Sequence, residues 1–214
     1  MLHSLLPIIL LSLYVSGAAL ASATVMGVPL GARLALRPVP GQRLIVLLIY
    51  TGMGLPPVVV GLFVYLLLSR SGPLGGLNWL FTPAAMIVAQ TVIALPLVIG
   101  LTMTAVESVD SALRLQLRAL GATSAQVMWT MLSEARSGLL AAIVAAFGSI
   151  ISEVGAVMLV GGNIEGRTRV LTTAIVLETR KGNFALSLAL GSVLLGLTFL
   201  SNFLLLRLGR GVGR

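Results

Sequence analysis

Of 214 residues, 57% are hydrophobic and 9% are charged, against roughly 25% charged in a soluble domain; with a mean hydropathy of +1.08 this excludes a water-facing globular surface. A single histidine, His3, and no cysteine exclude a disulfide framework and a His- or Cys-based metal site. The net charge of +8 resides almost wholly in arginines of short connecting stretches, a pattern that suits a bilayer flanked by basic loops better than nucleic acid binding.

Crossing the hydrocarbon core takes about 20 mostly apolar residues. The first such run is 5–26. Its Ala19-Leu20-Ala21 resembles a signal-cleavage site, but no Lys or Arg precedes the run, so the basic start of a secretion signal is missing. The second run, 44–68, contains Gly52-Met53-Gly54-Leu55-Pro56-Pro57. Two adjacent prolines disrupt the helical ladder. They read either as a kink that shapes packing or as a bend beside a pathway; the kink is preferred, because Pro and Gly are common in membrane helices. Residues 69–82 read as a loop with Gly72-Pro73 and Gly75-Gly76 turns. Trp79 and Phe81 fall where an interfacial aromatic belt would lie. The third run is 83–106.

The segment 107–138 is polar. Asp110 and its neighbours Ser108 and Ser111 offer caps for a short helix, and Thr123 or Ser124 for a second, with Gly121 between them. Val127, Met128, Met131 and Leu132 form a helical apolar stripe, suited to a docking element or to a helix lying on the membrane surface. A further run, 139–161, carries one charge, Glu153. Ala142, Ala145, Ala146, Ser149, Ser152, Glu153 and Ala156 share one face of a continuous helix there, and small residues allow close helix approach. An intramembrane Glu is a functional hypothesis by default; Ser149 lies one turn away and is placed to bond it. A structural Glu paired with a backbone group or an arginine is the alternative.

Gly161-Gly162-Asn163 is expected to end that helix. Arg167 and Arg169, with Thr168, Thr172 and Thr173, then offer forked cations and hydroxyls suited to a tetrahedral oxyanion, or form an interfacial turn facing water. Residues 168–180 are too short and polar to span and read as an interfacial or re-entrant helix. The last apolar run is 184–206.

Arg33, Arg37, Arg43, Arg114, Arg118, Arg136, Arg207, Arg210 and Arg214 fall on one side of five crossings; Arg70, Arg167, Arg169, Arg180 and Lys181 fall on the other. The richer side is expected to be cytoplasmic, with the N-terminus outside and the C-terminus inside. The only lysine, Lys181, is in no phosphate-binding loop. Any ATPase is therefore another subunit. No catalytic set and no cofactor site are expected.

Leu117-Arg118-Ala119-Leu120-Gly121-Ala122-Thr123-Ser124 resembles the "EAA" cytoplasmic loop of type I ABC importer permeases, which in that family fits into a cleft of the ATPase subunit. The family's Glu-Ala-Ala falls here on Leu115, Gln116 and Leu117, and its later Leu-Pro on Ser133 and Glu134. The segment 152–175, from Ser152-Glu153-Val154-Gly155-Ala156 through Gly162-Asn163-Ile164 to Thr168-Arg169, is similar to molybdate and tungstate permeases. Gly161-Gly162, Thr172-Thr173-Ala174-Ile175, Leu177-Glu178-Thr179 and Gly54-Leu55-Pro56-Pro57 look closest to the tungstate branch.

The resemblance implies an all-α integral membrane protein of five transmembrane helices with a cytoplasmic coupling loop, the MetI-like permease fold. It implies one permease domain over 1–214, with the coupling loop at 107–138. The expected partners are a second copy in a homodimer, an ABC ATPase, a periplasmic substrate-binding protein and the lipid of the inner membrane. The implied cargo is tungstate, with molybdate or sulfate as alternatives; a membrane scaffold without transport is the reading of another class. The residues expected to couple to the ATPase are Arg118, Ala119, Leu120, Gly121, Ala122, Val127 and Met128. Those expected along the path are Ser149, Glu153, Gly155, Asn163, Arg167 and Arg169.

Overall fold

The computed structural model describes residues 2–210; Arg214, counted in the charge balance, lies outside the described residues. Ten α-helices and a 3₁₀ turn account for the described residues' regular structure. They are α1 (Leu2–Leu36), α2 (Gln42–Met53), α3 (Pro57–Leu68), α4 (Pro83–Glu107), α5 (Ser111–Ala119), α6 (Ser124–Glu134), α7 (Arg136–Ile151), α8 (Gly155–Gly161), α9 (Leu171–Arg180) and α10 (Phe184–Arg210); the 3₁₀ turn is Gly75–Leu77. Helices α1, α4 and α10 are each long and apolar enough to cross a membrane. Two bent pairs, α2–α3 and α6–α7, bring the number to five if each is one crossing.

Small residues set the central contact. Gly27 and Gly31 of α1 face α4 so closely that a Cβ on Gly31 would lie 2.6 Å from the Ile99 carbonyl oxygen, and one on Gly27 2.8 Å from Val98. Ala19, Ala23, Ala85, Ala89 and Ala94 are fully buried in the same core. Without a hydrophobic drive between helices in lipid, such close backbone approach supplies the packing that holds them. The order of these contacts makes α1 and α4 parallel, so Leu36 and Val106 meet at one end of the bundle. Helix α1 runs past the 5–26 apolar segment to Leu36. At 35 residues it is about 50 Å long, against a hydrocarbon core of about 30 Å.

The Gly54–Pro57 segment is a break and not a kink. Helices α2 and α3 meet at 103°. Pro57 opens α3, where a missing N–H is no loss. A proline also drives the residue before it to extended backbone, and Pro56 has φ −60°, ψ 122°. A helix cannot continue through that pair.

The run 139–161 is likewise not one helix. It divides at Ser152–Val154 into α7 and α8. The common face expected along it therefore disperses: Ala142, Ala146 and Ala156 are buried, whereas Ala145, Ser149 and Ser152 are exposed. Helix α8 packs on α3, where a Cβ on Gly61 would stand 2.5 Å from the Ala156 Cα.

Candidate coupling and translocation sites

The segment 107–138 folds as two short helices. The Asp110 carboxylate accepts the Ala112 N–H at 2.9 Å and starts α5. Thr123 and Gln126 form a reciprocal capping box that starts α6. Between them Gly121 has φ +81°, a conformation glycine adopts without steric cost. The Ala122 N–H returns to the Leu117 carbonyl at 3.0 Å and closes the turn.

The direction of the apolar stripe differs from what a docking surface requires. Val127 is 4% exposed, and Met131 and Leu132 are buried with it against Ala32, Leu36, Ala105 and Val106. Met128 is half-buried beside them. Helix period placed these residues on one face correctly, but that face is the one α6 turns to its own bundle. The outward apolar side chains are Leu120 at 84% exposure, with Leu115 and Trp129. Arg118 and Ala119 are exposed beside Leu120, and Ala122 is half-buried.

The second candidate segment surrounds the α7–α8 break. Glu153 is half-buried. Its carboxylate accepts the Ala156 N–H at 3.0 Å, capping α8, and its carbonyl accepts the Thr172 hydroxyl at 2.9 Å. The bond expected from Ser149 is absent, because the chain leaves helical geometry after Ile151. Ser149 is exposed, and its carbonyl instead accepts the Ser152 hydroxyl at 3.2 Å. Gly155 is where α8 presses on α3, with a Cβ there only 2.5 Å from Val58.

Gly162 (φ +71°) and Asn163 (φ +51°) end α8 as expected. A Cβ on Gly162 would meet Phe81 at 2.8 Å, and the Phe81 N–H donates to the Val160 carbonyl at 2.9 Å. The hydroxyls expected to face an oxyanion are engaged with the chain's own backbone. Buried Thr168 donates to the Gly161 carbonyl at 2.6 Å and accepts from the Ile164 N–H at 2.9 Å. Thr173 accepts the Val170 N–H at 3.1 Å, and Thr172 is held by Glu153. Ser12 of α1 accepts the Leu171 N–H at 2.8 Å, anchoring the start of α9; nothing in the periodicity of α1 marks that partner. Arg169 is half-buried and pairs with Glu165 at 3.2 Å. The Asn163 amide nitrogen donates to the Thr173 carbonyl at 3.5 Å. Of the expected path residues, Ser149 and Arg167 are exposed, and Glu153, Gly155, Asn163 and Arg169 are half-buried.

The sequence matches the model of a family described as "Binding-protein-dependent transport system inner membrane component" over residues 27–214. It is 48% identical over 198 residues to the Haloferax volcanii protein named "Probable anion ABC transporter permease protein", covering 90% of this chain and 85% of that one. It is 42% identical over 195 residues to the tungstate uptake system permease protein TupB of Peptoclostridium acidaminophilum, covering 91% and 86%. The fold matches a chain of the inward-facing MetNI methionine ABC transporter with a TM-score of 0.84 at 22% identity, over 100% of this chain and 98% of that chain.

Proposed function

The chain belongs to the binding-protein-dependent transport system inner membrane components and is a multi-pass permease subunit of an ABC importer, and on that premise we propose that it carries tungstate across the membrane as a homodimer. The observation that carries the cargo is the likeness to a tungstate uptake permease over nine-tenths of the chain, 91%. Delivery by a binding protein at the Phe81 end and ATPase docking at the Gly121 end follow from the arginine distribution. The richer group, including Arg33, Arg37, Arg114 and Arg118, gathers at the Gly121 end, and arginine excess marks the cytoplasmic side. The N-terminus is then outside and the C-terminus inside. The ATPase contacts the turn through Arg118, Ala119, Leu120 and Gly121, while Val127 and Met128 hold the turn to the bundle from beneath. The path runs past the exposed α7 face at Ser149 and the Glu153 joint, toward the second copy.

Two measurements test this reading. Uptake into cells should follow tungstate in preference to molybdate and sulfate, and a preference for either of those would overturn the cargo. Leu120→Glu and Trp129→Glu should each reduce co-purifying ATPase about tenfold or more, since burying such a side chain in a partner is worth roughly 1.5–3 kcal/mol. Wild-type retention of the ATPase in both variants would show that the turn is not its docking surface.

A further inference from the structure

At the Gly121 end a cleft of about 300 Å³ opens between the end of α1 and helices α5 and α6. Four arginines line it: Arg33 and Arg37 from α1, Arg114 and Arg118 from α5. Among the described residues the ion pairs are Arg169–Glu165 and Lys181–Glu178, so no carboxylate pairs with any of the four. The nearby acids Asp110 and Glu134 line a separate hollow. Arg114 donates one terminal N–H to the Leu36 carbonyl at the end of α1, and its Nε is buried with no hydrogen-bond partner. Arg33, Arg37 and Arg118 are exposed and Arg114 is half-buried; four like charges around one cleft attract an anion, and the buried, unpartnered Nε of Arg114 is costly to leave unmet.

Apart from Ser124 the remaining lining is apolar, including Pro29, Leu36 and Met128. The cleft also lies at the end of the bundle where α1 and α4, both long and apolar enough to cross a membrane, finish at Leu36 and Glu107. Arginine forks match the oxygens of a phosphate, and basic pockets at the ends of membrane helices hold anionic headgroups. A small free oxyanion would leave the apolar half of the cleft unused.

We propose that this cleft binds the phosphate of an anionic phospholipid between Arg33 and Arg37 of α1 and Arg114 of α5, leaving Arg118 at its rim to the ATPase. The anion then bridges α1 to α5 and supplies the partner that the Arg114 Nε lacks. The permease–ATPase complex extracted from vesicles of phosphatidylcholine with phosphatidylglycerol should retain phosphatidylglycerol through purification, measured by mass spectrometry. The double variant Arg33→Gln/Arg37→Gln should retain about tenfold less, the factor that 1.4 kcal/mol represents, whereas Arg70→Gln at the opposite end should match wild type. Ala125→Phe, which fills the cleft without altering its charge, should lower retention as well and covers the case in which the double variant does not accumulate. Equal retention in the cleft variants and wild type would overturn the site. If inorganic phosphate or tungstate binds the delipidated complex while phosphatidylglycerol is not retained, the source is a free oxyanion and the lipid is overturned. If the permease retains phosphatidylglycerol alone but loses it when the ATPase is added, the cleft is a protein-docking surface and the proposal falls. ATPase co-purification is read on the same samples, so failure of lipid binding is separable from failure of the docking assignment.

Discussion

Two polar segments interrupt the apolar helices, and they treat their polar groups in opposite ways. In 107–138 the caps close two short helices and leave Leu115, Leu120, Trp129 and Arg118 outward. In 161–173 the hydroxyls of Thr168, Thr172 and Thr173 turn inward to backbone groups. The difference has a physical cause. Buried backbone that leaves helical geometry must be satisfied by other protein groups, so the buried hydroxyls of Thr168, Thr172 and Thr173 become structural. The exposed turn around Gly121 has solvent for its backbone, which leaves its side chains free for a partner. A run of threonines and arginines is therefore weak evidence of a ligand site wherever the chain around it lacks helical bonding.

The sharpest test of that contrast is Thr168→Val. It leaves the Gly161 carbonyl and the Ile164 N–H without the hydroxyl each now bonds, and should destabilise the purified permease by about 1–3 kcal/mol. Thermal unfolding in detergent reads this, and an unchanged midpoint with lost uptake would return Thr168 to the transport path. Gly121→Val probes the other segment. The φ of +81° would be strained, at about 1–2 kcal/mol, although no neighbour lies within 4 Å of a Cβ there. The expected signature is reduced ATPase co-purification with normal membrane content; lost membrane content would make this turn structural like the other one.

Glu153 stands between the two cases. Glu153→Ala should remove the α8 cap and cost about 1 kcal/mol in thermal stability, while Glu153→Gln keeps an acceptor and most of that stability. If the carboxylate charge serves transport, Glu153→Gln still loses uptake; full uptake in Glu153→Gln would leave the residue a cap and nothing more. The smallest effect concerns pH at the end of α9. The hydrogen bond from Lys181 holds the Glu178 carboxyl below its ordinary value, opposed by desolvation and aided by Asn183. A carboxyl lowered in the folded state contributes stability above its unfolded value, and loses it as pH falls through the folded one. Glu178→Gln should therefore flatten the acid side of the unfolding-midpoint curve slightly. An unchanged acid limb would mean that the pair contributes no measurable stability.

The amino-acid sequence alone determined the membrane class and the apolar runs, and it narrowed the caps to Ser108, Asp110 or Ser111 and to Thr123 or Ser124, because hydropathy and capping are local properties of composition and spacing; the structure selects Asp110 and Thr123. It also marked Gly121 as a turn and Gly161-Gly162-Asn163 as a helix end; the structure gives Gly121 and Gly162 the positive φ that glycine reaches freely. Whether a run of the right length is one helix or two was decided by structure. The Pro56-Pro57 pair was visible as a disturbance, but neither the 103° angle between α2 and α3 nor the seating of α3 on α8 at Gly61 was. Tertiary structure also decided which way each face points. The stripe at Val127, Met131 and Leu132 is periodic whether it meets a partner or its own bundle, and only the presence of Leu36 and Val106 beneath it selects the bundle. Glu153 and Thr172 are 19 residues apart in sequence, and Ser12 and Leu171 are 159 apart. Such bonds have no local signal, because they are made by whichever polar group the packing of α1 and α7 brings within reach of an unsatisfied backbone.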